Sequence, residues 1–270
     1  MKKLAILLIA LLVISAGCIG SQGGEKGGSQ TKSPSQANVT TTSSGHAGEK
    51  KHAEITPMII LTSIHQYTYE ENASVELKIT IKTGNTTQRT NASMEILERG
   101  YVDLLGKRAK IVTRTITKPD NVTLKMTRVI IGGTVYTETL GRTGVSNDTS
   151  FWRINPVSLA RELLKLTPIG NYTENGTRVL VYSVPGDVLL PMAQLYFTNP
   201  GMNTTVTDAT AELYFSNGAF KGMKLVFSVR ATAAVEGMNG KMTVIEVGSW
   251  KGTVRITSVN KMEEVKAPST

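Results

Sequence analysis

The residues able to do chemistry in this 270-residue chain are few and poorly spaced for it. Its three histidines, His46, His52 and His65, all precede the first strongly alternating segment. No His-x-x-x-His pair, Asp-x-Asp loop or cysteine cluster offers the spacing that a metal ion requires. A Gly-x-Ser-x-Gly elbow and a phosphate-cradling loop are also missing. The acid pairs Glu70-Glu71 and Glu263-Glu264 are adjacent, so on a strand they point to opposite faces and read as solvated charges. Asp103 follows an apolar pair near Gly100, where it either enters a pocket or stabilises a turn. The expectation is a chain that is not an enzyme and that holds no cofactor and no metal.

Cys18, the single cysteine, is the exception. Lys2 and Lys3 lead an apolar stretch from Leu4 to Ile14, and Ser15-Ala16-Gly17 steps down to the cysteine. That layout is a secretory signal peptide over residues 1–17. Its apolar part is shorter than the roughly 20 residues that span a bilayer. Ser15-Ala16-Gly17-Cys18 resembles the lipobox of prokaryotic lipoproteins, whose cysteine thiol receives a lipid before cleavage. It departs from that pattern in one respect, since the large aliphatic residue, Ile14, sits one place further out. The resemblance implies that Cys18 anchors the chain by lipid to the outer face of the cell membrane. The alternative is an ordinary signal peptide with an incidental cysteine.

From residue 18 to about residue 52 the chain is Gly, Ser, Thr, Gln and Lys with almost no large apolar side chain. Such a segment cannot bury enough surface to offset its ordering entropy and is expected to be a flexible tether. Residues 53–268 are left as a single folded domain. The formal net charge of +9 is scattered, with no run of five like charges. It fits solubility and proximity to anionic headgroups, and without a nucleic-acid motif in an exported chain no nucleic-acid partner is expected. Nine of fourteen asparagines begin an Asn-X-Ser/Thr triplet: Asn38, Asn72, Asn85, Asn91, Asn121, Asn147, Asn171, Asn175 and Asn203. With Ser and Thr near a fifth of the chain, chance would supply roughly three. The excess reads as N-glycosylation, or else as Thr-rich strands beside Asn-rich turns. A lipobox combined with dense sequons has an archaeal rather than a bacterial look.

The elements that must carry these residues are mostly strands. Val75, Leu77, Ile79 and Ile81 alternate with polar residues, and Met94, Ile96 and Glu98 open a second strand that Gly100 should bend. Strands over 109–117, 122–131 and 134–139 complete a meander. Asn155-Pro156 then starts a helix with Val157, Leu159, Ala160, Leu163 and Leu164 on one side. A strand over 178–184 precedes a second helix over 188–197, capped by Asp187. Strands follow over 206–215, 220–234, 241–250 and 253–259, with Asn217-Gly218 the strongest hairpin signal and Lys251-Gly252 taken as the last turn. The expected fold is mainly β (α+β): a strongly curved antiparallel half-barrel of about ten strands with two helices covering its concave side.

That order of elements, with Trp152 before the helical insert, resembles the half-barrel lipoprotein-carrier superfamily, the LolA and LolB carriers and most of all the mycobacterial-type lipid-binding lipoproteins. The segments that carry the resemblance are Ser93 to Asp103 and the closing Ile256-Thr257-Ser258-Val259-Asn260-Lys261-Met262-Glu263-Glu264-Val265-Lys266-Ala267-Pro268. It implies a cavity beneath the helices that takes a lipid or lipid-linked glycan, making the chain a membrane-anchored carrier, acceptor or sensor. Candidate lining residues are Met94, Met126, Trp152, Leu163, Met192, Met223, Leu225, Phe227 and Met242, because thioethers suit adaptable apolar pockets. Possible partners are the membrane through Cys18, a lipid, and an envelope protein. Two other readings stay open: a surface structural or protein-interaction module with a solid core and no ligand, and a hydrolase of envelope polymers.

Overall fold

The computed structural model describes residues 56–197, 202–237 and 240–268. Cys18, Asn38, His46 and His52, and with them the expected signal peptide and tether, lie outside the described residues.

Alternating burial along β-branched runs produces eleven strands among the described residues. These are β1 (Gln66–Thr83), β2 (Thr86–Asp103), β3 (Arg108–Lys118), β4 (Val122–Ile131), β5 (Thr134–Thr139) and β6 (Arg142–Asn147). The second set is β7 (Gly170–Glu174), β8 (Thr177–Ser183), β9 (Asn203–Ser216), β10 (Ala219–Gly237) and β11 (Gly240–Val259). They form one antiparallel sheet in the order β6-β5-β4-β3-β2-β1-β11-β10-β9-β8-β7. Two meanders are therefore joined where the first strand pairs with the last, Val75 opposite Trp250 and Glu71 opposite Val254. The outermost strands, β6 and β7, do not pair, so the sheet is an open half-barrel rather than a closed barrel.

Four helices are described: α1 (Pro57–Thr62), α2 (Phe151–Ile154), α3 (Pro156–Leu163) and α4 (Gly186–Phe197). The chain between β6 and β7 must travel from one edge of the sheet to the other, and it carries α2 and α3 as it goes. α3 packs on α1 and β10, and α4 packs on β9 and β10. The inward residues of the long strands meet these helices in one apolar core that includes Val75, Ile96, Ile111, Leu213, Phe227 and Trp250. Asn155 ties helices to sheet. Its Oδ1 accepts from Ser158 N (3.1 Å) as the α3 N-cap and from the Tyr67 hydroxyl (2.7 Å). Its Nδ2 donates to the carbonyls of Phe151 and Trp152 and to Ser158 Oγ.

Several sequence expectations are corrected in detail. Among the described residues there are eleven strands, in line with about ten, and four helices rather than two. The short edge strands β6 and β7 carry too little apolar alternation to be seen in the sequence. Residues 241–259 make one strand, not a hairpin at Lys251-Gly252. Gly252 is there because the Trp250 ring and the Ala73 side chain occupy the space a Cβ would need. Gly100 likewise lies under the Tyr69 ring, and β2 runs through it to Asp103. α4 begins at Gly186, so Asp187 lies inside its first turn and Pro191 inside the helix.

On the convex side the C-terminal tail folds back onto the sheet. Val265 is buried in a small apolar cluster with Tyr101 and Val129. Asn260 fastens the start of this tail: its Oδ1 accepts from the backbone N–H of His65 and Gln66, and its Nδ2 donates to the Ser63 carbonyl.

Candidate functional site

The inward face of β1 carries, in order, Tyr67, Tyr69, Glu71, Ala73 and Val75. Its first three residues are polar and its continuation is apolar. Pairing places Glu71 directly opposite Glu98 of β2, Glu98 opposite Thr113 of β3, and the neighbouring Ile111 opposite Arg128 of β4. Four adjacent strands thus aim polar side chains into one part of the concave face.

Glu98 is the hub and is only 7% exposed. Its Oε1 accepts from the Tyr69 hydroxyl at 2.6 Å. Its Oε2 accepts from Thr113 Oγ1 at 2.7 Å and from Arg128 Nη2 at 3.0 Å. The remaining valences of the cluster are not all met: Arg128 Nε and Glu71 Oε1 are buried with no hydrogen-bond partner. Tyr196, on the last turn of α4, closes over the group near enough for Glu71, Glu98 and Arg128 to act on its ionisation.

Electrostatics follow from this enclosure. Burial, and then the facing Glu98, pushes the Glu71 carboxyl from its ordinary 4.5 up to about 8, against the opposing pull of Arg128. Burial works against the Arg128 charge, but Glu98, Tyr196 and Tyr69 together outweigh that, and the guanidinium is held above its usual value. Tyr69 and Tyr196 are pushed well up, by burial first and by the carboxylates second. At neutral pH the cluster is one ion pair, Glu98–Arg128, beside a protonated Glu71. The expectation that Glu70-Glu71 are solvated charges therefore holds for one member only. Glu70 lies on the convex face bridged to Arg99 (3.2 Å) and Arg255 (2.5 Å), while Glu71 faces inward.

A second buried acid, Glu246 of β11, is 2% exposed with Oε2 unpartnered, and burial pushes its carboxyl up to about 7. Four residues on, Trp250 Nε1 is also buried without a partner. Asp103 has the turn role, accepting from Gly106 N through Oδ1 at 2.9 Å.

Met94, Leu163, Met223, Leu225 and Phe227 are buried in the main apolar cluster, and Trp152 and Met192 pack against it. Met126 and Met242 are half-buried on inward positions of β4 and β11. Phe227 stacks on Trp250 (5.5 Å between centroids, 11° between planes) and receives the edge of Phe197 from α4 (6.2 Å). Trp152 donates Nε1 to the Gly132 carbonyl (2.5 Å), clamping α2 onto the β4–β5 turn. It also lines a cleft of about 470 Å³ among α2, α3 and α4, with Leu159, Arg161, Val188 and Pro191. The sequon asparagines Asn72, Asn85, Asn91, Asn121, Asn147, Asn171, Asn175 and Asn203 are all exposed, whereas Asn155, which begins no sequon, is buried.

Among the described residues, no group of three or more His, Cys, Asp or Glu is placed to hold a metal ion. Nor is any helix among them long and apolar enough to cross a membrane.

No family model matches the chain, and no curated protein matches it significantly. Solved structures give partial likenesses. LprF from Mycobacterium bovis is 10% identical, over 79% of this chain and 93% of its own, with a TM-score of 0.37. A beta-barrel-like protein of a domain of unknown function (DUF1849) from Brucella abortus is 10% identical, over 70% and 98%, with a TM-score of 0.22. The ywiB protein from Bacillus subtilis is 8% identical, over 70% and 94%, with a TM-score of 0.16. None of these assigns an activity. What stands by itself is the class of fold: an open antiparallel half-barrel whose concave side is covered by helices.

Proposed function

We propose that the protein is a lipid-anchored extracellular lipoprotein whose half-barrel binds an apolar ligand, a lipid or lipid-linked glycan, as carrier, acceptor or sensor. The observation that carries this reading is the cleft among α2, α3 and α4, since about 470 Å³ falls in the usual size range of small-molecule sites. Buried atoms without partners, at Glu71, Arg128, Glu246 and Trp250, accompany it, and leaving such a group unpaired costs about 1–3 kcal/mol.

The anchor belongs to the same proposal: Cys18 carries lipid, residues 18–52 act as tether, and the exposed sequons accept glycans. A tether of that length holds the domain about 30 Å from the membrane on average, at ~5–6 Å × √n. A permanently anchored protein suits local hand-off or sensing better than long-range transport. Archaeal origin rests on the lipobox and sequons alone.

Organic extraction of the full chain purified from membranes, followed by mass spectrometry, tests the ligand. A lipid recovered in stoichiometric amount is expected; reproducibly empty protein that takes up no added lipid sinks the reading. Cys18→Ser should release the chain into the medium, and its retention in the membrane fraction would overturn the anchor.

The packing of Phe197, Phe227 and Trp250 favours a second reading for that end of the trough, a solid module that presents a surface rather than a cavity.

A further inference from the structure

The cleft among α2, α3 and α4 is lined by two kinds of surface. One is apolar: Trp152 and Ile154 of α2, Leu159 of α3, and Val188 and Pro191 of α4. The other is cationic, formed by Arg153 of α2 and by Arg161 of α3, with Ser158 beside them. About 470 Å³ takes a headgroup and the start of one alkyl chain rather than a whole two-chain lipid.

Arg161 is fixed in place without being neutralised. Its Nε donates to the Leu61 carbonyl (3.2 Å), and its Nη2 donates to the carbonyls of Leu61 (2.9 Å) and Ile64 (2.8 Å). These acceptors carry no net charge. Among the described residues no carboxylate forms an ion pair with Arg161 or with the exposed Arg153. Arg161 stays half-buried on the cleft wall, where burial lowers its basicity and no carboxylate opposes that. An anion in the cleft supplies the missing opposite charge to a guanidinium that is already oriented, so little side-chain freedom is lost on binding. Ser158 Oγ accepts from Asn155 Nδ2 at 3.0 Å, which leaves its own hydrogen for an oxygen of the anion. Lys107, with its ammonium 5.1 Å from the centre of the Trp152 ring, adds positive charge nearby. The one acid on the wall, Glu162, is engaged by Lys165 at 2.7 Å. An ammonium head would meet like charges here, and an uncharged head would leave the guanidinium groups unanswered.

Resting on the apolar-ligand reading above, we infer that Arg161, Arg153 and Ser158 form an anion subsite on the wall of this cleft, and that what enters it is an amphiphile with a phosphate head whose chain lies on Trp152, Leu159 and Val188.

The test titrates the full chain in non-ionic detergent with octyl phosphate, octanol, octyltrimethylammonium and inorganic phosphate, each against detergent alone. Of the two tryptophans only Trp152 lines the cleft, so its emission reports occupancy. Octyl phosphate is expected to bind roughly tenfold tighter than octanol, as one charge-assisted hydrogen bond would supply. Octyltrimethylammonium should bind more weakly than octanol, and inorganic phosphate more weakly than octyl phosphate. In Arg153→Gln, which gives up no ion pair of the native fold, the phosphate-to-octanol ratio should fall roughly threefold. In Arg161→Gln it should approach one, and in Glu162→Gln it should rise. An unfolding midpoint equal to that of the native chain shows that Arg153→Gln is folded. That variant carries the test alone if Arg161→Gln, which loses bonds to the Leu61 and Ile64 carbonyls, does not fold. Equal binding of octyl phosphate and octanol, a preference for the cation, inorganic phosphate as tight as octyl phosphate, or a ratio unmoved by Arg153→Gln would each overturn the subsite, while octanol binding keeps the apolar-ligand reading standing. Failure of octanol and octyl phosphate alike to bind would overturn that reading, and the subsite with it.

Discussion

Phe227 and Glu98 both point inward from long strands of one sheet, yet their surroundings are closed in different ways. Around Phe227, Trp250 stacks on one side and Phe197 of α4 arrives edge-on, and Gly248 is kept free of a Cβ by the Phe197 ring and the Glu76 carbonyl. Around Glu98, closure comes from three hydrogen bonds that use up the carboxylate but leave Arg128 Nε and Glu71 Oε1 open. The same helix caps both regions, through Phe197 and Tyr196. The difference teaches that one concave face can be closed by aromatic packing in one part and by polar pairing in another, with the switch made by two consecutive residues of α4.

Substitutions can break or sharpen that contrast. The largest effect is expected at the aromatic end, where Phe227→Ala should cost about 3–5 kcal/mol through a cavity that its neighbours cannot fill. Guanidinium unfolding measures it, and a loss under about 1 kcal/mol would show that this end is not solid. At the polar end, Arg128→Met alone leaves Glu98 without its ionic partner and should cost ~3 kcal/mol. Combining it with Glu98→Leu should recover most of that stability, because a buried ion pair can be exchanged for well-packed hydrophobes. A double variant that stays as unstable as the single would mean that the cluster is a structural keystone rather than a site.

The effect of pH is read on the same cluster. Glu71 is held at about 8 and Glu246 at about 7, both above the ordinary 4.5, so in the folded state they keep protons that the unfolded chain has already released. Their contribution to stability is complete below pH 4.5 and is lost progressively as pH rises through 7 to 8. The groups facing Glu71 are Glu98, Arg128, Tyr69 and Tyr196. Thermal midpoints should therefore fall between pH 5 and pH 8, and Glu71→Gln should flatten the slope. A slope unchanged in Glu71→Gln would place the titration elsewhere. The smallest effect belongs to the convex face, where Arg255→Ala removes one of two bridges to Glu70 and should leave the unfolding midpoint almost unchanged.

Much of the fold was legible because alternation is a local signal. Val75, Leu77 and Ile79, or Met223, Leu225 and Phe227, announce a one-sided strand without reference to anything else. The Asn155-Pro156 start of α3 and the Asn217-Gly218 turn are local too, and both formed as expected, with positive φ at Asn217 and Gly218. Gly100 and Gly252 misled because their meaning is non-local: each makes room for an aromatic ring. The site was harder to read. Glu71, Glu98 and Arg128 each lie in phase with apolar neighbours, at Val75, Ile96 and Ile130, which marks them as inward charges. What no single strand reveals is that three such positions come from three different strands and meet.

Composition and short-range pattern by themselves determined that the chain is a mainly antiparallel β protein with a helical insert, because turn chemistry and period-two alternation act within a few residues. They also determined where Cys18 and the sequons lie. Only the tertiary structure decided that the first strand pairs with the last, that the sheet stays open, and that Glu71 faces Glu98. Register is the reason: sliding β1 by one residue against β2 would turn Glu71 outward with Glu70 inward, and the inside of the trough would be different.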